Sequence, residues 1–259
     1  GYCVVYPSTP NANGAPAGTS NWSSRKQLAQ ETDARQMALK PIRAALASTD
    51  ISALAGKPEL MNQAIAGGTA AFKVYCVQCH GSGAAGSRGY PNLNDDEWLW
   101  GGDLATIEKT IADGVRQPDH PATRFSQMPA FGRDGILQPA QIEDVASYVR
   151  VLSRQETASA SSARGQTLFT ANCVVCHGAD GKGMRAQGAP NLTDAIWLYG
   201  GDRDTIKQTV TNSRYGVMPA WGLKLDPVTI RMLAAYVHSL GGGEAAPAPV
   251  QAAAGTIAA

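Results

Sequence analysis

Two pentapeptides in this chain have residue types and a spacing that do chemistry, Cys76-Val77-Gln78-Cys79-His80 and Cys173-Val174-Val175-Cys176-His177. In C-x-x-C-H the two cysteines fix one haem through a pair of thioethers, and the histidine that follows lies beneath its iron. Cys76, Cys79, Cys173 and Cys176 are four of only five cysteines in the chain, so a chance pattern is a poor explanation. Two covalently bound haems c are expected, with His80 and His177 as their proximal iron ligands.

An iron with one histidine needs its sixth position explained. Met128-Pro129-Ala130-Phe131-Gly132 and Met218-Pro219-Ala220-Trp221-Gly222 form a second matched pair, one after each haem motif. A thioether ligand favours ferrous iron and raises the reduction potential, which makes Met128 and Met218 the candidate distal ligands. The same order in both repeats favours ligation within each repeat, although exchange between repeats stays open. Core filling is the competing use of a methionine and suits Met232, Met37 and Met61. Met184 has no counterpart in the first repeat. Two irons with both axial positions filled leave no place for a substrate, which argues for outer-sphere electron transfer and against catalysis by the chain alone. Hydrolytic and phosphate-binding signatures are absent.

The elements that must hold these residues also come in pairs. Gly68 and Phe72 precede the first motif as Gly165 and Phe169 precede the second, on a helix that leads into each. A glycine-rich loop follows each motif. Tyr90-Pro91-Asn92-Leu93 then matches Ala189-Pro190-Asn191-Leu192, and Trp98-Leu99-Trp100-Gly101-Gly102-Asp103 matches Trp197-Leu198-Tyr199-Gly200-Gly201-Asp202. Asp103 and Asp202 stand where helix N-caps are wanted. Ile142, Val145, Val149 and Leu152 keep helical spacing, as do Ile230, Leu233, Val237 and Leu240, with Asp226-Pro227 opening the second of these closing helices. No stretch alternates at period two, so the expected fold is all-α. Trp98, Trp197 and Trp221 can line the haem edges or simply fill core. Asp95-Asp96-Glu97 reads as capping or docking surface, His120 as a solvated loop residue in an insertion of the first repeat, and His238 has no assigned role.

Composition fits this picture. Aromatic content of 7% is thin for two cores, and a haem in each would supply the missing apolar bulk. The formal charge of +1 gives no basic surface for nucleic acid. Four haem propionates would bring the total to roughly −3 with both irons ferrous and −1 with both ferric, a modestly acidic carrier. With only Cys3 left over, a disulfide framework is excluded. Segments are expected at 1–24 (the end of a membrane anchor, with Tyr2 and Tyr6 at the interface, then a Pro/Asn/Gly/Ser linker), 25–63 (an amphipathic helical spacer interrupted at Pro41), 64–155 and 156–241 (the two haem domains) and 242–259 (a disordered tail).

Both haem units resemble class I cytochrome c domains. The run Gly89 to Gly102, the segment ending Gln127-Met128-Pro129-Ala130-Phe131, and Gly216-Val217-Met218-Pro219-Ala220-Trp221-Gly222 are similar to the dihaem subunit, subunit III, of cbb3-type cytochrome c oxidases. The resemblance covers about residues 64–241. It implies two tandem class I cytochrome c domains behind an N-terminal remnant of a membrane helix, attached to the bacterial inner membrane with the haem domains in the periplasm. It implies that electrons arrive from a donor cytochrome c or a quinol:cytochrome c oxidoreductase. They would then pass to the monohaem and haem-copper subunits, where dioxygen is reduced. It also implies that the carbonyls of Pro91 and Pro190 accept from His80 and His177. A free or anchored periplasmic dihaem carrier, and the cytochrome subunit of a dehydrogenase, are the alternatives from other classes.

Overall fold

The computed structural model describes residues 22–247; the apolar start Tyr2–Pro7, most of the linker, and the chain beyond residue 247 lie outside them. Residues up to Thr49 form one unit and residues from Asp50 another. In the former, α1 (Ser24–Ser48) runs unbroken through Pro41, where an interruption was expected. A proline in a helix forfeits its own N–H bond, but the alanine-, lysine- and arginine-rich turns around it have the propensity to continue. Leu28 and Met37 on this helix are exposed.

The second unit is helical, and among the described residues no strands are present, only isolated bridges. Its elements in order are α2 (Pro58–Tyr75), α3 (Val77–His80), α4 (Leu104–Asp113), α5 (Pro139–Leu152), α6 (Ala160–Asn172), α7 (Val174–His177), α8 (Arg203–Asn212) and α9 (Pro227–His238). The N-caps follow the sequence. Asp103 accepts from the Thr106 amide at 3.0 Å, Asp202 from the Thr205 amide at 2.9 Å, and Asp226 from the amides of Val228 and Thr229. The helix leading into the first haem motif starts at Pro58, ahead of residue 64, with Pro58 at its first turn and Glu59 beside it.

How the helices pair is not what consecutive domains would give. The helix before the first haem motif, α2, packs on the last helix, α9, while α6, before the second motif, packs on α5. Phe72 meets Tyr236 with ring centroids 5.1 Å apart, and Phe169 meets Tyr148 at 5.3 Å. At each crossing a glycine lets the backbones touch. A Cβ on Gly68 would stand 2.0 Å from the Met232 carbonyl oxygen, and one on Gly165 would stand 1.9 Å from that of Asp144. Helix α4 packs on α9, and α8 on α5. The first haem unit thus joins two distant stretches of chain while the second is built from consecutive helices, so the closing-helix contacts run across the expected bounds 64–155 and 156–241. The first unit comprises α2, α3, α4 and α9. The second comprises α5, α6, α7 and α8.

The exchange occurs at two crossing connections, extended chain that forms isolated bridges and no sheet. Arg124 still belongs to α4, its Nε donating to Thr110 Oγ1 at 2.8 Å, but a few residues on the Arg133 amide donates to the Thr211 carbonyl at the end of α8. Arg214 likewise holds Thr209 Oγ1 on α8 at 3.0 Å, after which Met218 and Val115 exchange backbone hydrogen bonds at 3.0 and 2.9 Å just beyond α4. Arg116 joins the two connections where they cross, donating from Nε to the Gly216 carbonyl at 2.7 Å and from Nη1 to that of Ser126 at 2.8 Å.

An ion pair pins α5 to α6. The Arg164 guanidinium grips Asp144 in a two-point bond at 2.8 and 2.7 Å, and Ser161 donates to the same carboxylate at 2.6 Å. The Arg164 bonds, with help from Ser161 and against the effect of burial, hold the Asp144 carboxyl below its usual range. A depressed carboxyl contributes stability above its ordinary pKa and loses it as pH falls through the folded value. Denaturant titrations below about pH 4 should show a falling midpoint, and Asp144→Asn should flatten that acid limb. An equally steep limb in the variant would show that other carboxylates carry it.

The chain past α9 is not free where it is described. Trp98 Nε1 donates to the Gly242 carbonyl at 2.6 Å, the Gly102 amide donates to Glu244 Oε2 at 2.8 Å, and Arg185 pairs with the Glu244 carboxylate. A disordered tail was expected from residue 242, whereas these bonds hold the chain through Glu244. Gly241-Gly242-Gly243 allows the chain to turn back and lie against the Trp98 loop, where a Cβ on Gly242 would stand 1.8 Å from the Asp95 carbonyl oxygen.

Candidate functional site

The two C-x-x-C-H motifs are built alike. Cys76 and Cys173 end α2 and α6, their amides donating to the Phe72 and Phe169 carbonyls, and the next turn carries the second cysteine and the histidine. His80 Nδ1 lies 3.1 Å from the Pro91 carbonyl oxygen, and His177 Nδ1 lies 3.1 Å from that of Pro190. A carbonyl can only accept, so Nδ1 carries the proton and Nε2 is left with its lone pair. Burial lowers both histidine pKa values, partly offset by the bond to the proline carbonyl, which keeps the rings neutral and able to ligate. Phe72 and Phe169 stand by these rings with identical geometry, centroids 6.5 Å apart and planes at 41°. Burial, then the neighbouring cysteine, pushes the Cys76 and Cys173 thiols up to about 11.

The methionines lie on the crossing connections. Met128 packs against the cluster of Phe169, Ile206 and Val210, which Cys173 and Val174 also touch. Met218 is paired with Val115 beyond α4, and the turn Trp221–Leu223 after it packs on α4. Trp221 reaches Tyr75, next to Cys76, with ring centroids at 5.7 Å. The histidine and methionine of one repeat therefore do not converge, whereas those of opposite repeats share a unit.

The loops between motif and N-cap meet in a reciprocal contact. The Gly89 amide donates to the Leu198 carbonyl at 2.8 Å, and Arg88 Nε to that of Tyr199 at 3.0 Å. Tyr199 covers Gly89, as Trp100 covers Gly188. Arg214 lies over the Tyr199 ring at 4.8 Å and Arg124 over Trp100 at 5.4 Å. A cleft of about 540 Å³ lies here, lined by Arg88, Tyr90, Pro91, Pro190, Trp197 and Tyr199 among others, so it reaches both prolines whose carbonyls orient the histidines. Glu97, expected on a capping or docking surface, lines this cleft, where burial and then Asp194 push its carboxyl upward.

The tryptophans take unequal parts. The Trp197 indole N–H is buried with no protein acceptor, whereas Trp98 spends its own on Gly242. A buried donor without an acceptor is costly, and a haem propionate is a fitting partner for it. Together with a neutral, oriented imidazole beside each cysteine pair, this donor makes the residues present suited to haem c. His120, read as solvated, lies 3.4 Å from Asp113, and His238 Nε2 lies 2.9 Å from the Glu244 carbonyl. Sequence reasoning missed Arg124 and Arg214, although each precedes its methionine by the same interval and is followed by an aromatic residue. It also missed Arg116, which has no repeat partner to draw notice.

Residues 63–149 and 160–237 match the model of a family described as cytochrome C oxidase, cbb3-type, subunit III. The chain belongs to this family. It is 50% identical over 244 residues to the cbb3-type cytochrome c oxidase subunit CcoP of Cereibacter sphaeroides, covering 94% of this chain and 84% of that one. It is 49% identical over 245 residues to the subunit FixP of Bradyrhizobium sp. (strain ORS 278), with 94% and 84% covered, and 46% identical over 245 residues to FixP of Azorhizobium caulinodans, with 94% and 83% covered. As a cbb3-type subunit III the chain is an electron-transfer subunit of a membrane-associated oxidase, works with the other oxidase subunits, and binds two haems c. Among the described residues no helix is long and apolar enough to cross a membrane.

Proposed function

We propose that Cys76 and Cys79 hold one haem c and Cys173 and Cys176 the other, with His80 and His177 as proximal and Met128 and Met218 as distal iron ligands. The observation that carries this is the identical setting of the two histidines, each with Nδ1 at 3.1 Å from a proline carbonyl and Nε2 left to bind metal. The haems supply the one-electron chemistry, iron passing between ferrous and ferric. The chain's own residues hold the imidazoles neutral and aimed, and shield them behind Phe72 and Phe169. The loops that follow the two motifs are joined by the bond from the Gly89 amide to the Leu198 carbonyl.

Electrons enter from a donor cytochrome c or a quinol:cytochrome c oxidoreductase and leave toward the monohaem and haem-copper subunits. The haem units lie on the periplasmic side of the bacterial inner membrane, and residues 1–24 are read as the end of a membrane anchor followed by a linker. The apolar run Tyr2–Pro7 with its two tyrosines supports the anchor.

The test is removal of one attachment site. Membranes carrying Cys76→Ala with Cys79→Ala should hold half the covalent haem in this subunit and should oxidise reduced donor cytochrome c far more slowly, while the haem-copper site keeps its spectrum. Unchanged oxidation by that chain would exclude the relay.

A further inference from the structure

We propose that the carboxyls of Glu97 and Asp194 share one proton between the two loops that follow the motifs, taking it up when the subunit receives an electron and releasing it when the electron leaves. This rests on the reading of the two cysteine pairs as haem sites and adds a proton to the charge the subunit relays.

The loops bring the pair together. Asp95 and Asp194 hold corresponding places after Pro91 and Pro190 and turn their loops alike, Asp95 Oδ1 accepting from the Glu97 amide at 3.2 Å and Asp194 Oδ1 from the Ile196 amide at 2.8 Å. The other Asp194 oxygen, Oδ2, is buried with no donor to meet it. Glu97 stands where the second repeat has Ile196, and its carboxyl meets that of Asp194. Two carboxylates offer only acceptors, so their contact is repulsive until a single proton supplies the missing donor. Asn191, beside Pro190, steadies the arrangement: its Oδ1 accepts from the Thr193 amide and hydroxyl at 3.0 and 2.8 Å, which leaves its NH2 group for Glu97.

Among the described residues neither carboxyl has an ion-pair partner. Arg88, the cation lining the cleft, donates to the Tyr199 carbonyl and acts on Asp202, Tyr90 and Tyr199 are neutral phenols, and Asp95 and Asp96 only add negative charge. Burial and then Asp194 raise the Glu97 carboxyl, so it can keep a proton where an ordinary glutamate has lost its own. Glu97 is half-buried in a cleft that reaches both Pro91 and Pro190, so an electron arriving at either site places its charge nearby and a proton can follow from solvent. The pair then passes from two carboxylates to one carboxylate and one acid, and loss of the electron reverses both changes. Coupling is reciprocal: the bound proton makes the electron easier to add, so the reduction potential falls as pH rises through the titration of the pair.

Potentiometric titration of the intact oxidase at a series of pH values tests this. At least one haem c potential of the unaltered subunit should step downward with rising pH, above the ordinary glutamate range. Glu97→Gln, which mimics the acid, and Asp194→Asn, which frees Glu97 of its partner's charge, should each remove that step with haem content unchanged, whereas Asp95→Asn should keep it. In redox-difference infrared spectra a protonated-carboxyl band should grow on reduction and vanish in Glu97→Gln. A step that survives in both variants belongs to the haem propionates and overturns the proposal, as does a potential independent of pH in the unaltered oxidase. A step lost in Asp95→Asn alone would place the proton there and overturn the pair. Absence of covalent haem from the unaltered subunit would instead sink the haem reading on which the pair depends.

Discussion

Cutting the chain between Thr157 and Ala158 should leave the protein in one piece. Both residues are exposed, and they lie between Glu156, which holds Arg203, and Ser159, which caps α6, so an inserted protease site would disturb neither. Consecutive domains would part after such a cut. Here each fragment keeps one partner of both helix crossings: α2 and α5 are on one side of the cut, α6 and α9 on the other. Separation would expose Phe72 and Phe169, which are 1% and 2% accessible, at about 1.5–3 kcal/mol each, together with the aliphatic residues around them. The fragments should therefore co-elute with both haems at micromolar concentration, a dissociation constant of about 1 μM requiring only about 8 kcal/mol. Elution as two separate haem-bearing species would show that each closing helix pairs within its own repeat after all.

A comparably large effect is expected from one methyl-bearing substitution at a helix crossing. Gly165→Val would place its Cβ 1.9 Å from the Asp144 carbonyl oxygen, which is backbone and cannot swing aside. Overpacking of this kind costs about 1–3 kcal/mol, and more where backbone must move. A loss of about 3 kcal/mol lowers the melting temperature of a domain this size by roughly 6–12 °C. Gly68→Val should do the same through Met232. Gly83→Ala is the control, because a Cβ there meets nothing within 4 Å and its backbone is not left-handed. In Gly165→Val the disturbance should reach α5, and hydrogen exchange should rise over 142–149 as well as over α6. Exchange confined to 160–172 would contradict the observed pairing.

Much of this was legible in the sequence, for physical reasons that also mark where reading stops. C-x-x-C-H names its cofactor because two thioethers and an axial histidine demand that spacing, and Asp103 and Asp202 announce their helices because free amides need an acceptor. Ile142, Val145 and Val149 show that α5 buries a face, as Ile230, Leu233 and Val237 do for α9. Hydrophobic periodicity states that a face is buried but not against what. Sequence alone does not tell whether Phe169 meets Tyr148 or Tyr236, since both repeats present the same glycine, phenylalanine and tyrosine, so two repeats this alike cannot disclose that they have traded closing helices. The hold on Gly242 and Glu244 was hidden for another reason. Composition flags an Ala/Pro/Gly-rich tail, but one carboxylate placed to meet the Gly102 amide and Arg185 is enough to pin its first residues.

The traded helices also give the molecule a sequence in time. Helix α5 is already made when α6 emerges, so the second unit can close on itself as soon as α8 is finished. The first unit has no such luck of order: α2, α3 and α4 come early, yet their closing partner α9 is nearly the last thing synthesised. The motif nearer the N-terminus therefore belongs to the half of the protein that matures last. Until residue 238 is in place, Phe72 and the backbone at Gly68 have nothing to close against.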